Sequence, residues 1–174
     1  MPFIVEDGTG VIDANALISV AFADDYFLLR GVTDWTGLDS EKEVAIIKST
    51  DYMELMFSQK WNGYLSEEAT ELSFPRVYFY SPRKGMVDFE TDGIPKDIMK
   101  ACAEYALRAL TVDLISDPEF DNLTGKEVKS KLEKVGPLEE ETSFVTGASS
   151  SVRSYPAADR LIRPYLIGTG GVIR

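Results

Sequence analysis

The chain has 174 residues with 44 % hydrophobic and 11 % aromatic side chains, which is typical of one folded domain with a hydrophobic core. No apolar run reaches the roughly 20 residues of a membrane helix, and the acidic N-terminus does not fit a secretory signal, so we expect a soluble protein. A single cysteine excludes an internal disulfide, and the absence of histidine removes the commonest general base and metal ligand, so we expect no enzyme and no cofactor.

The net charge of −11 is unevenly distributed along the chain. Residues 145–174 contain four arginines and one aspartate, whereas the preceding part is strongly acidic. Affinity for nucleic acid comes largely from cations that displace counterions from phosphates, so an acidic body disfavours it. A short basic tail on an acidic body instead favours an arm that binds an acidic partner.

Two helices are predicted in the first third of the chain. The first lies in ISVAFADDYFLLRG, with Ser19 as its N-cap and Gly31 as its C-terminal stop. The second begins at Ser40, where Glu43 three residues later would complete a capping box. Its helical apolar period continues to about Lys60.

Two further helices are predicted after residue 93. Pro95 suits the first position of the third helix, whose apolar stripe includes Cys102 as a buried side chain rather than a nucleophile. Alanines along this helix would let another helix approach closely. A short fourth helix starts at Pro156 and is interrupted by Pro164.

Residues 61–93 show no lasting period, which predicts one long irregular segment that is functional or is supported by a partner. Aromatic residues among basic ones are typical of a platform that stacks single-stranded nucleic acid. Acidic residues in the same stretch cancel that attraction and favour packing in a core or at an interface. The candidates for docking in this segment are Trp61, Tyr64, Phe74, Arg76, Tyr78, Phe79 and Tyr80.

A β-hairpin is predicted near residues 127–144, because apolar and charged residues alternate on both sides of Gly136-Pro137. We expect lysines of one strand to face glutamates of the other, and we expect this polar hairpin to need a neighbouring surface, within the chain or from another subunit. Residues 1–144 are predicted to form the domain, and residues 145–174 a linker, short helix and arm. The candidate interface residues of the hairpin are Lys129, Lys131, Leu132, Lys134, Leu138, Glu139, Glu140 and Glu141.

Other acidic clusters predict no site. The run at 117–121 resembles the start of a calcium loop but lacks the glycine at its sixth position and the glutamate at its twelfth, so a solvated turn is favoured. Asp24, Asp25 and Asp113 could be paired carboxylates for acid–base chemistry, although charges on helix surfaces give the same pattern. Nothing in the sequence brings them together.

Six motifs occur in an order that resembles the head–tail connector proteins of tailed bacteriophages, which are also called adaptor or head-completion proteins. Many members of that family are labelled as DnaT-like single-stranded-DNA-binding proteins. The resemblance extends from about residue 10 to residue 167. The motifs are ISVAFADDYFLLRG, IIKSTDYMELMF, LSFPR, IPKDIMKACAEYALRAL, KLEKVGPLEEET and SYPAADRLIRPYL.

The resemblance implies an α+β, mainly α fold: a small bundle of about four helices with a β-hairpin and an extended C-terminal arm. It further implies a structural virion protein that forms a ring, usually of twelve copies, beneath the portal protein and docks the next tail or stopper protein. Double-stranded DNA would pass through the ring without specific binding. The protein would be located in the neck of the virion, and in the host cytoplasm during assembly. The alternative is a single-stranded-DNA-binding protein of phage replication. The residues assigned to a portal-binding arm are Arg160, Arg163, Tyr165, Leu166, Val172, Ile173 and Arg174.

Overall fold

The chain forms two compact units. The computed structural model describes residues 2–67, 71–81, 85–87, 93–115, 128–134, 139–144 and 153–167. The first unit comprises Met1–Leu114 and Ser154–Arg174, and the second comprises Ile115–Arg153. The short helix that the sequence places in a separate tail therefore packs within the first unit.

Four α-helices lie in the described part of the first unit, and α3 packs mainly against α2 and α4. With the short strands below, they make the mainly helical α+β fold that the sequence predicts. Among the described helices, none combines the length and the apolar character needed to cross a bilayer. The helices are α1 Val20–Leu28, α2 Asp39–Phe57, α3 Lys96–Ala109 and α4 Pro156–Ile162, and a 3-10 turn at Arg163–Tyr165 follows α4.

The helix ends follow the sequence signals only in part. Ser19 caps α1, since its Oγ accepts a hydrogen bond from the Phe22 N–H at 3.1 Å, and Gly31 adopts a φ of +63° just beyond the helix. The predicted capping box at Ser40 is wrong. The α2 helix begins earlier, where the Leu38 N–H donates to Glu41 Oε2 at 2.8 Å, and a leucine side chain cannot return the bond.

The predicted burial of Cys102 on α3 is confirmed. Its side chain is fully buried, and its sulfur lies 3.0 Å from Ser49 Oγ of α2. Burial raises the pKa of the Cys102 thiol to about 11, so the sulfur remains a neutral thiol at physiological pH. Alanines 101, 103 and 106 of the same helix are also fully buried, which allows the close helix packing that the sequence indicates.

Three tyrosines and one aspartate fasten α4 to the helices beside it. The rings of Tyr52, Tyr105 and Tyr155 contact one another with centroids 4.9 to 5.8 Å apart. Asp159 accepts hydrogen bonds from the Tyr105 hydroxyl at 2.6 Å and from the Tyr155 N–H at 2.9 Å. Burial, together with this bond to a carboxylate, raises the pKa of Tyr105 far above its usual value.

Residues 61–87 contain two small antiparallel sheets, which corrects the prediction of one irregular segment. Strand β1, Tyr64–Leu65, pairs with β2, Arg76–Val77. Strand β3, Phe79–Ser81, pairs with β4, Gly85–Val87. Strands of two or three residues are too short to show an alternating pattern in the sequence.

The second unit contains the predicted hairpin, formed by β5, Val128–Lys134, and β6, Glu139–Phe144. The expectation that lysines lie opposite glutamates holds at one position, where Lys134 pairs with Glu139. It is wrong for Lys131, which pairs with Thr142, and Glu140 lies opposite Glu133 instead of a lysine. The pairing register shifts between Val128 and Ser130, and such irregularities are not encoded in a simple alternation.

The first unit contains a hydrogen bond between the residues on either side of the second unit. The Tyr155 hydroxyl donates to the Leu114 carbonyl oxygen at 3.0 Å. Replacing residues 116–152 with a short Gly-Ser linker is therefore expected to shift the melting temperature of the first unit by only a few degrees, because a shorter loop costs little closure entropy. Thermal unfolding followed by circular dichroism measures this, and loss of a cooperative transition would contradict it.

Candidate functional site: an exposed tyrosine surface

The aromatic residues between positions 61 and 80 divide into a buried set and an exposed set. Trp61, Phe74 and Phe79 are at most 1 % exposed and belong to the core. The Trp61 and Phe74 ring centroids are 5.3 Å apart, and Phe79 stacks on Tyr165 at 5.5 Å. For these side chains, the interpretation as core packing is confirmed, and none of them can meet an external partner directly in this conformation.

Three tyrosines of the same segment point into solvent. Tyr64 is 72 % exposed, Tyr78 is 73 % exposed and Tyr80 is 51 % exposed. The rings of Tyr64 and Tyr78 meet edge to face, with centroids 6.5 Å apart and planes at 83°. We call these three side chains the tyrosine surface. Met86, the cross-strand partner of Tyr80, is also exposed.

The backbone displays these rings through two unusual positions. Tyr78 has a φ of +52°, a left-handed conformation that is uncommon for a bulky residue and costs on the order of 1 kcal/mol or more. Gly63 has a φ of +72°, and a Cβ there would lie 2.6 Å from the Val77 carbonyl oxygen. Only glycine therefore lets the chain before Tyr64 pack against the chain around Tyr78.

Arg76 forms hydrogen bonds with several backbone groups of the segment that carries the tyrosine surface. Its guanidinium group is buried and donates to the carbonyl oxygens of Asn62 at 3.0 Å and Gly63 at 3.0 Å. It also donates to the carbonyl oxygens of Ser73 at 3.3 Å and Trp61 at 3.5 Å. Burial lowers the pKa of Arg76, since the charged form loses its hydration. Sequence reasoning places Arg76 in a docking surface. In the structure Arg76 is instead a structural clamp, meaning that its side chain bonds four backbone carbonyl groups of its own chain.

Glu54 anchors this clamp to α2. Its carboxylate accepts hydrogen bonds from the Ser73 N–H at 2.9 Å and from the Ser73 hydroxyl. The charge of Glu54 also offsets part of the lowering of the Arg76 pKa. The Glu54 carboxylate therefore holds the segment that carries the tyrosines to α2, and the Arg76 guanidinium group holds the segment together internally.

Several lysines and arginines in the described part of the chain form ion pairs or hydrogen bonds with groups of the same chain. Lys42 pairs with Asp24 at 2.8 Å and Lys48 pairs with Asp113 at 2.9 Å, so the structure gives these two aspartates separate partners on α2. Charged groups already bound in this way contribute less to the attraction of phosphates. Other cations bound within the chain include Lys100, Arg108, Arg30 and Arg76.

The residues assigned to a portal-binding arm occupy several environments. Arg160 and Arg163 are exposed, and Leu166 is half-buried. Tyr165 is buried, and its hydroxyl donates to Asp97 Oδ2 at 3.2 Å, so its side chain packs within this chain instead of extending from it. Val172, Ile173 and Arg174 lie outside the described residues.

The remaining predicted sites are the acidic clusters and the hairpin. The acidic run at 117–121 and Leu138 lie outside the described residues. In the described ranges, no group of three or more histidine, cysteine, aspartate or glutamate side chains is arranged to hold a metal ion. Among the remaining hairpin candidates, Lys129 lies in β5 at the shift of register. The candidates that pair across the two strands are Lys131, Leu132, Lys134, Glu139, Glu140 and Glu141.

Sequence reasoning missed three residues that support the tyrosine surface. Asn62 and Gly63 form an Asn-Gly pair, a turn signal that could have indicated a sharp reversal before Tyr64. Glu54 resembles any charged residue of a helix surface, so nothing in its spacing indicates the bond to Ser73 nineteen positions later.

The fold and these side chains define a small, mainly helical α+β domain that exposes Tyr64, Tyr78 and Tyr80 on a segment bound by Arg76 and Glu54. A family model described as "Putative DnaT-like ssDNA binding protein" matches residues 1–174, so the chain belongs to that family. No curated protein and no solved structure matches the chain. The family description agrees with the alternative interpretation of the sequence and contains no reference to a portal or a tail.

Proposed function

We propose that the chain binds single-stranded DNA by stacking bases on the tyrosine surface. The observation that carries this proposal is the exposure of Tyr64, Tyr78 and Tyr80. Hydrogen bonds from Arg76 and to Glu54 hold the backbone of the segment that carries them. Exposed aromatic rings on a rigid support lose little conformational entropy when a base stacks on them. Family membership supports the same function.

Stacking supplies most of the affinity in this proposal. A base on an aromatic side chain contributes about 1–3 kcal/mol. With a net charge of −11 and many described cations already engaged, phosphate contacts contribute little. Binding of this kind depends weakly on salt and requires unpaired bases, because the faces of bases in a duplex are already stacked on each other.

Comparison of single-stranded and duplex DNA tests this function. A fluorescein-labelled dT oligonucleotide of about 12 residues is titrated with the full chain, and the fluorescence anisotropy is followed. The same oligonucleotide annealed to its complement is the control. We expect binding to the single strand alone. Equal binding to both forms, or binding to neither, would contradict the proposal.

A second candidate is the connector function, which the acidic character of the chain favours. Repulsion between an acidic wall and DNA would let the DNA slide past, and the exposed tyrosines would then contact a protein. Co-purification with the portal protein and detection in mature virions would support this function. Absence from virions, together with binding to single-stranded oligonucleotides, would exclude it.

A further inference from the structure

The side chain of Asn62 forms two hydrogen bonds with the backbone of Tyr80. Asn62 Oδ1 accepts from the Tyr80 N–H at 2.9 Å, and Asn62 Nδ2 donates to the Tyr80 carbonyl oxygen at 3.1 Å. Both bonds are exposed to solvent and connect residues eighteen positions apart. One amide side chain therefore satisfies both backbone groups of a residue in the tyrosine surface.

These bonds place Asn62 where a neighbouring strand would lie. Tyr80 pairs with Met86 of β4, but its N–H and carbonyl groups both bond to Asn62 and so point away from β4. In an antiparallel pair, the outward groups of such a residue are those that the next strand would bind. The Asn62 side chain thus takes the place of a further strand at the edge of β3, because it binds the outward N–H and carbonyl groups of Tyr80. These two bonds hold the backbone that carries the Tyr80 ring.

The main chain of Asn62 is fixed from two other directions. Its N–H donates to the Tyr165 carbonyl oxygen at 3.0 Å. Its carbonyl oxygen accepts from Arg76 Nε at 3.0 Å. Asn62 also precedes Gly63 and Tyr64, so one residue links the backbone positions of Tyr64 and Tyr80 to the core.

We propose that Asn62 is a positioning residue of the binding surface, acting through Tyr80; this inference rests on the proposed function. Asn62 need not touch DNA itself. Its role is to hold the Tyr80 ring in the orientation that a stacked base requires.

A double-mutant cycle with the full chain tests this role. The variants are Asn62→Ala, Tyr80→Ala and the combination, and the probe is the labelled dT oligonucleotide. Asn15→Ala is a matched control, because Asn15 also bonds to backbone with both side-chain atoms, to the Ile4 N–H at 3.0 Å and the Pro2 carbonyl oxygen at 2.8 Å.

We expect Asn62→Ala to weaken binding about tenfold in the wild-type background, comparable to the loss of one stacked base. It should have no further effect when Tyr80 is already alanine, because its contribution acts through that ring. Asn15→Ala should leave affinity unchanged. Hydrogen exchange of the Tyr80 amide should accelerate in Asn62→Ala, with or without DNA.

Two results would overturn this inference while leaving the proposed function intact. One is an unchanged affinity of Asn62→Ala when Tyr80→Ala binds weakly. The other is an equal loss in both backgrounds, which would indicate a general structural role. If the wild-type chain fails to bind the oligonucleotide at all, the proposed function fails and this inference fails with it.

Discussion

Replacing Tyr64, Tyr78 and Tyr80 together with alanine is expected to lower the affinity for single-stranded DNA by at least about 100-fold. The reason is that each ring offers a stacking surface worth about 1–3 kcal/mol per base, and three are lost. Stability should change little, because all three side chains are more than half exposed. Anisotropy titration measures the affinity, and thermal unfolding measures the stability.

The matched control replaces Leu28 and Leu29 with alanine. These side chains at the end of α1 are 77 % and 84 % exposed, so the control removes a similar kind of exposed apolar surface elsewhere. It should leave DNA binding unchanged. Undiminished binding by the tyrosine variant, or an equal loss in the control, would show that the tyrosine surface is not the binding site.

Arg76→Met is expected to destabilise the chain by about 3 kcal/mol or more and to abolish DNA binding as the tyrosine-bearing segment loses its clamp. The substitution removes the donor from four carbonyl oxygens, two of them in buried and two in partly buried hydrogen bonds. Arg76→Lys should recover only part of the loss, because an ammonium group cannot reproduce the planar fork of donors. Urea denaturation measures the free energy of unfolding.

Arg160→Met is the control for this prediction. Arg160 is exposed on α4, so removal of its charge should change the free energy of unfolding by less than about 0.5 kcal/mol. If Arg76→Met unfolded no more easily than Arg160→Met, the guanidinium group would not be the support described above.

The helices were predictable from the sequence because their signals are local. The Ser19 cap, the glycine after α1 and the alanine-rich face of α3 each depend on residues within a few positions of one another. The sequence predicts the start of α2 two residues too late. Leu38 and Glu41 have the same three-residue spacing as Ser40 and Glu43, and both pairs could mark the first turn of the helix. Local rules do not decide which pair is used.

The direction of the aromatic side chains was not predictable in the same way. Tyr78, Phe79 and Tyr80 are adjacent, and only the middle ring is buried. Strands of two and three residues carry no readable period, and the decisive contacts join Asn62 to Tyr80 and Arg76 to the loop before β1. These long-range bonds belong to the folded structure and leave no spacing signal in the chain.

The role of Arg76 shows that composition alone does not tell which residues of this segment are available to a partner. A sequence with arginine among aromatic residues fits a nucleic-acid platform. The Arg76 guanidinium group, however, already donates its hydrogen bonds to backbone carbonyl groups. What the segment exposes to a partner is the three phenol rings of the tyrosine surface. Under the proposed function, base stacking, and not phosphate capture, would reconcile the acidic charge of the chain with the description of its family.

The dependence of oligonucleotide affinity on salt tests this account most directly. Titrations of the dT oligonucleotide between about 50 and 200 mM salt should give a slope of log K against log[salt] between about 0 and −1 for the wild-type chain. Binding should disappear in the tyrosine variant. A slope of about −4 or steeper, retained after the tyrosines are replaced, would mean that phosphates are the ligand and would contradict the account.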